Sequence, residues 1–187
     1  MNFVTQIAPP AARLRERPSL RDYVVVVAIL SVGVALIVMA LQRAGIPAAP
    51  RELLRPVIAM FALTAVVWTS MLLWRNVAVF LRRASIRYYQ DYRSDPPDEW
   101  IERPARAFNN LMQLPTLFYV IAVLMMITPW ADRAQIDLAW MFIGVRAAHA
   151  ANYIAFNYLP FRFAFYSIGC VALAVMWARF AINAPMS

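Results

Sequence analysis

Three stretches free of any charged residue dominate the chain, at residues 23–42, 56–74 and 107–131. An α-helix rises about 1.5 Å per residue, so about 20 residues cross a hydrocarbon layer of about 30 Å. Each stretch reaches or nearly reaches that length. A soluble domain of 187 residues that is 63% hydrophobic, with a mean hydropathy of +0.57, has too little interior to hide its apolar side chains. The solvent that fits is a bilayer. Two more segments, 138–158 and 163–183, are long enough but are interrupted by single charged or ionisable residues. The expected fold class is an all-α integral membrane protein with five transmembrane helices, at 23–42, 54–81, 104–128, 137–158 and 163–183.

The first of these could be mistaken for a secretory signal, since basic residues Arg13 to Arg21 precede it. Twenty apolar residues exceed the usual signal core of about 7–15, and no convincing A-x-A site follows. Helix 23–42 is therefore expected to be retained as an anchor.

The net charge of +8 comes from eighteen arginines and no lysine. In a soluble protein it would suggest nucleic acid. Here the arginines fall mainly in loops, where they fix topology and face anionic lipid, so no nucleic-acid partner is expected. One side carries Arg13, Arg15, Arg17, Arg21, Arg82, Arg83, Arg87, Arg93, Arg103 and Arg162. The other carries Arg43, Arg51, Arg55, Arg133 and Arg179. The excess predicts a cytoplasmic Arg-rich tail over residues 1–22, a cytoplasmic loop at 84–102 and a C-terminus outside. In that loop Tyr88, Tyr89, Tyr92 and Trp100 suit the headgroup zone, Pro96-Pro97 breaks the chain, and Pro104 is expected in the first turn of the next helix. Cys170, the lone cysteine, sits in an apolar run and reads as a small core residue.

Polar residues inside the apolar segments carry the functional information. Arg106, Asn110 and Gln113 are spaced i, i+4, i+7 and share one helix face; Arg146, His149 and Tyr153, at i, i+3, i+7, form a second stripe. Arg162 and Tyr166 form a third. With the expected topology, all three lie in the cytoplasmic half of the bilayer, at the adjoining ends of successive helices, and can converge. Ionisable residues at such depth cost about 2.5–3.5 kcal/mol each and normally face a protein interior or a wet cavity. Glu102 and Asp137 are the carboxylates within reach as partners for Arg146. Asn109, Asn152 and Asn157 are expected mainly as interhelical hydrogen-bonding groups, and His149 without a second His or Cys cluster gives no metal site. Arginine forks bind carboxylates, amides pair with peptide groups and tyrosine hydroxyls donate to an anion, so the pocket suits a small anionic peptide.

The segment "ERPARAFNNLMQLPTLFY" resembles the signature of the MAPEG superfamily, the membrane-associated proteins of eicosanoid and glutathione metabolism. The family pattern, an E-R, an R-A, an Asn, an acidic residue three positions on and a Pro, falls on Glu102-Arg103, Arg106-Ala107, Asn110, Gln113 and Pro115. "RAAHAANY" is similar to the family's R-x-x-H-x-x-x-Y stripe, and "RFAFY" places Arg162 and Tyr166 at the spacing of its prostaglandin-synthase branch. The resemblance covers about residues 54–183 and is nearest a bacterial branch, which implies a bacterial inner membrane.

Membership implies a four-helix bundle over 54–183 that assembles as a homotrimer, with helix 23–42 as an addition. It implies glutathione bound near the cytoplasmic side, lined by Arg106, Asn110, Gln113, Arg146, His149 and Tyr153, with Arg162 and Tyr166 as the catalytic pair. A glutathione transferase or peroxidase acting on lipophilic electrophiles follows. The sequence departs from the family at Gln113, which replaces an acid, at neutral Asn109, basic in several glutathione-using members, and at bulky Phe163, where one branch carries Ser. These departures, with the added helix, point to a rival: a non-catalytic structural or regulatory subunit of a larger membrane complex. A transporter fits less well, since neither an inverted repeat nor paired broken helices are evident.

Overall fold

Several helix starts in this chain fall where a side chain can replace a missing backbone partner. In the computed structural model, which describes residues 18–92, 96–128 and 130–183, Ser19 opens the first helix, α1 (Leu20–Leu41). Ser19 Oγ accepts from the Asp22 N–H at 3.2 Å and Asp22 Oδ2 accepts from the Ser19 N–H at 2.8 Å, a reciprocal capping box. A short 3-10 turn (Pro50–Leu53) leads into α2 (Leu54–Phe80), which ends at Arg82 in the left-handed region, φ 55°. A six-residue helix, α3 (Ile86–Asp91), follows in the polar connection. Then come α4 (Glu99–Leu111), α5 (Leu114–Ile127), α6 (Arg133–Ala155) and α7 (Leu159–Asn183). Arg13, Arg15, Arg17 and Arg93, and with them residues 1–17 of the expected tail, lie outside the described residues.

The expected single helix over 104–128 is instead two. α4 begins five residues earlier, at Glu99, so Pro104 lies inside it and not in its first turn. The chain then breaks at Met112–Gln113 and restarts as α5. Pro115 explains the break: it has no N–H to give the Leu111 carbonyl, and its ring crowds that carbonyl. It sits instead in the first turn of α5, where a missing donor costs nothing.

α6 is the centre of the packing and meets α7, α4, α1 and α2. α1 lies against α7 and α6 through Gly33, Ile37 and Ala40, one stripe at i, i+4, i+7. A Cβ at Gly33 would stand 2.5 Å from the Ile168 side chain, so glycine is what lets α1 approach α7 this closely. The opposite faces of α1 and α2 expose Val27, Val32, Met39, Phe61, Val66 and Leu73, as lipid contact requires. Among the described residues four helical stretches are long and apolar enough to cross a membrane: Leu20–Leu41, Pro50–Phe80, Glu99–Ile127 and Leu159–Asn183. α6, also expected to span, is long enough but too polar to qualify. Its Gln135, Arg146, His149 and Asn152 are buried by its neighbours.

Polar contacts gather at two opposite ends. At one, Arg43 pairs with Asp137 at 2.7 Å, Arg133 with Glu52 at 2.8 Å, and Arg179 with Asp132. Asp132 also caps α6 by accepting from the Gln135 N–H at 3.0 Å and takes the Gly45 N–H at 2.9 Å. At the other, Tyr158 donates to Asp22, Asn157 donates to Glu99 at 2.6 Å, and Arg75 pairs with Glu102 at 3.2 Å. Here Trp74 meets Trp100 edge-on, and Tyr88, Tyr89 and Tyr92 cluster. Burial pushes the Tyr89 hydroxyl above its ordinary range, with the Glu102 carboxylate adding to the effect.

Candidate functional site: an arginine cleft between α4, α6 and α7

The turn between α6 and α7 sets the geometry of the site. α6 closes with the Asn157 N–H reaching the Asn152 carbonyl at 2.6 Å while Asn157 itself adopts φ 52°, a left-handed ending that asparagine tolerates. The Leu159-Pro160 pair then starts α7, with proline in its first turn. This hairpin brings the end of α6 and the start of α7 together, so their stripes face each other.

Arg146 projects from α6 and is 0% exposed. Its Nη2 donates to the Asn110 carbonyl at 2.9 Å and to Asn110 Oδ1 at 2.6 Å. Its guanidinium lies 5.8 Å from the centre of the Tyr166 ring. Neither expected carboxylate reaches it, because Glu102 is taken by Arg75 and Asp137 by Arg43. The partner is a neutral amide and a backbone carbonyl. The break after Leu111 leaves that carbonyl to the N–H groups of the turn itself, Met112 and a long 3.4 Å contact from Gln113, and open to Arg146.

His149 Nδ1 sits 3.1 Å from the Arg162 carbonyl oxygen. A carbonyl only accepts, so Nδ1 carries the proton there; in the neutral ring Nε2 is then an acceptor. Arg162 stacks its guanidinium 3.7 Å from the centre of the Tyr153 ring and donates through Nη1 to Asn157 Oδ1 at 2.9 Å. The His149 ring lies 6.0 Å from both Tyr153 and Tyr166. Beside these groups opens a cleft of about 270 Å³ lined by Asn110, His149, Leu159, Arg162, Phe163 and Tyr166.

Asn110, Arg146, His149, Tyr153, Arg162 and Tyr166 therefore come together as their spacing predicts. Arg106 and Gln113 do not: both are exposed on the outside of the chain. Arg106 follows the face of α4 that turns outward, and Gln113 sits in the break, where the helical phase that placed it beside Asn110 is lost. Asn157 hydrogen-bonds neighbouring helices as expected, through Glu99 of α4 and Arg162 of α7, and in addition it ends α6. Its signal was an Asn directly after an apolar helix and two residues before Leu-Pro, a turn pattern.

The buried polar atoms left without a partner include Nε and Nη1 of Arg146, Nε of Arg162 and Nε2 of His149. Three are cationic donors. A fully buried guanidinium without a carboxylate is costly, and an anion with several acceptor oxygens is the chemistry that would offset it. No cluster able to hold a metal ion occurs among the described residues.

A helical membrane protein with an open cleft at one end of its bundle, carrying Arg162 in its wall and a fully buried Arg146 behind it, is the class these features define. The chain belongs to the MAPEG family, whose model matches residues 58–182. The matched segment holds every residue of the cleft and excludes α1. No curated protein and no solved structure matches the chain.

Proposed function

We propose that the cleft is a glutathione-type site and that the chain is a glutathione-dependent transferase or peroxidase acting on lipophilic electrophiles. The observation that carries the reading is Arg146, fully buried behind the cleft-lining Asn110 and Tyr166, with Nε and Nη1 unpartnered and with no carboxylate on it. Glutathione would supply two carboxylates, peptide groups and the reacting sulfur. Arg146 and Arg162 would bind its anionic groups, and the Asn110 amide and His149 Nε2 would pair with its peptide groups. Arg162, held flat on Tyr153, would favour the ionised sulfur electrostatically, and Tyr166 would donate to it. The exposed apolar rim at Phe163 faces the side from which a lipophilic electrophile would enter.

A cleft of about 270 Å³ falls just below the usual range of about 300–1,000 Å³ for small-molecule pockets. One chain thus offers only part of a tripeptide site. Arg106, Asn109 and Gln113 stand exposed on the Glu99–Ile127 stretch, where lipid would leave their polar groups unpaired. A homotrimer covers that face with a second copy and returns Arg106 and Gln113 to the cleft. In this assembly α6 spans the bilayer as a fifth helix, shielded by its neighbours. The Arg-rich end carrying the cleft is cytoplasmic, the C-terminus lies outside, and the membrane is a bacterial inner membrane.

Titration of the purified detergent-solubilised chain with glutathione tests this. Saturable binding that Arg162→Ala weakens, by a homotrimer, supports it. An absence of binding, together with a stoichiometric partner protein on purification, would instead establish the non-catalytic subunit of a larger complex.

A further inference from the structure

α1 lies outside the segment that matches the family, yet its first turn reaches the residues that hold Arg162. The link is Tyr158, the last of the three residues between α6 and α7. Its hydroxyl donates to Asp22 Oδ1, on the first turn of α1. Its carbonyl accepts from the Arg162 N–H at 3.2 Å and from Asn152 Nδ2 at 3.0 Å. The residue before it, Asn157, receives Arg162 Nη1 and is pinned to Glu99 of α4. Both the backbone and the side chain of Arg162 are thus fixed by the dipeptide Asn157-Tyr158, and α1 holds that dipeptide from outside.

We infer that the Asp22–Tyr158 contact is a positioning strap by which α1 sets the placement of Arg162 in the cleft. The inference rests on reading the cleft as a glutathione-type site. Three features make a strap of what could be a surface contact. Asp22 is held by its own capping box, with Oδ2 taken by the Ser19 N–H and hydroxyl, so Oδ1 is presented in a fixed direction. α1 is itself fixed on α7 by the close approach at Gly33–Ile168, so it cannot slide along the bundle. The Tyr158 ring packs edge-on against Phe161 at 4.9 Å, which aims the hydroxyl outward to Asp22 and away from the cleft. The carboxylate beside it raises the Tyr158 hydroxyl above its ordinary range, so it stays a donor.

The test uses the full chain and Tyr158→Phe, which removes one hydroxyl and leaves the capping box and ring packing in place. Arg43→Ala, which opens the ion pair at the far end of α1, is the control. Hydrogen exchange over residues 156–163 and the rate at which phenylglyoxal modifies Arg162, both followed by mass spectrometry without glutathione, report the strap. Both are expected to rise in Tyr158→Phe and in Asp22→Ala, to rise no further in the double variant, and to stay at wild-type values in Arg43→Ala. Glutathione affinity should fall about three- to tenfold, the scale of one ordinary hydrogen bond, since the strap acts on the cleft only through Arg162, and the ultraviolet absorbance of the bound thiolate should weaken. Unchanged exchange and unchanged Arg162 reactivity in Tyr158→Phe would overturn the strap. Faster exchange with an unaltered Arg162 and an unaltered thiolate signal would overturn its role in positioning. If the wild-type chain takes no glutathione, the reading of the cleft falls, and the two glutathione-free measurements alone decide the strap.

Discussion

At the Asp132 end of the bundle Arg43, Arg133 and Arg179 meet Asp137, Glu52 and Asp132, and Asp132 also satisfies two backbone N–H groups. At the Asp22 end Arg146, more deeply buried than any of them, meets an amide and a carbonyl, and Arg162 meets an aromatic face and another amide. The first arrangement gives each cation a carboxylate and ties α1, α6 and α7 to the connections between them. The second leaves Arg146 and Arg162 without one. Closed pairs hold a fold together; open buried cations weaken it unless something else uses them. The difference separates the end of this protein that closes its fold from the end proposed as its site.

Substitutions at the two ends should therefore act in opposite ways. Arg146→Met should weaken glutathione binding at least about a hundredfold, roughly 3 kcal/mol, since it removes a desolvated cation from the cleft. Its unfolding free energy in detergent should move by less than about 1–2 kcal/mol, because loss of the Asn110 bonds is offset by relief of burying the charge. A large loss of stability with intact binding would erase the distinction between the ends. Asp132→Ala should show the reverse: a loss of about 2–3 kcal/mol in denaturant unfolding, as the partly buried Arg179 loses its carboxylate and α6 loses its cap, with glutathione affinity kept where the chain is folded.

Gly33→Leu probes the helix that joins both ends. Overpacking against Ile168 should cost about 1–3 kcal/mol in thermal unfolding and loosen both ends of α1 together. The smallest effect is expected from Arg43→Ala. Its ion pair is half exposed on the arginine side and should be worth under about 1 kcal/mol, with cleft chemistry untouched. A larger loss there would mean that α1 depends on its outer pair more than on the Gly33 contact.

Much of this was legible in the sequence for a simple reason. Apolar run length reports bilayer crossing directly, and a 3.6-residue period fixes which side chains share a face. Arg146, His149 and Tyr153 converge with Arg162 and Tyr166 because each stripe lies within one unbroken helix. Periodicity fails at Gln113, because Pro115 interrupts the continuous helix that the spacing assumes. The pairing of Arg146 was missed for a different reason. Carboxylates were counted as the available partners, and a main-chain carbonyl has no letter in the sequence. The excess of arginine at one end also rested in part on Arg13, Arg15, Arg17 and Arg93. Among the described residues that end has Arg21, Arg82, Arg83, Arg87, Arg103 and Arg162, against Arg43, Arg51, Arg55, Arg133 and Arg179 at the other.

The break before Pro115 has a consequence for how this protein tolerates mutation. Every amino acid placed at position 110 brings a carbonyl with it, so half of the support for Arg146 survives any change there. A change at position 115 that restores the N–H could heal the helix and draw that carbonyl back into its ladder. Part of the support for the buried arginine thus rests on a residue outside its own hydrogen bonds, five positions along the chain from Asn110.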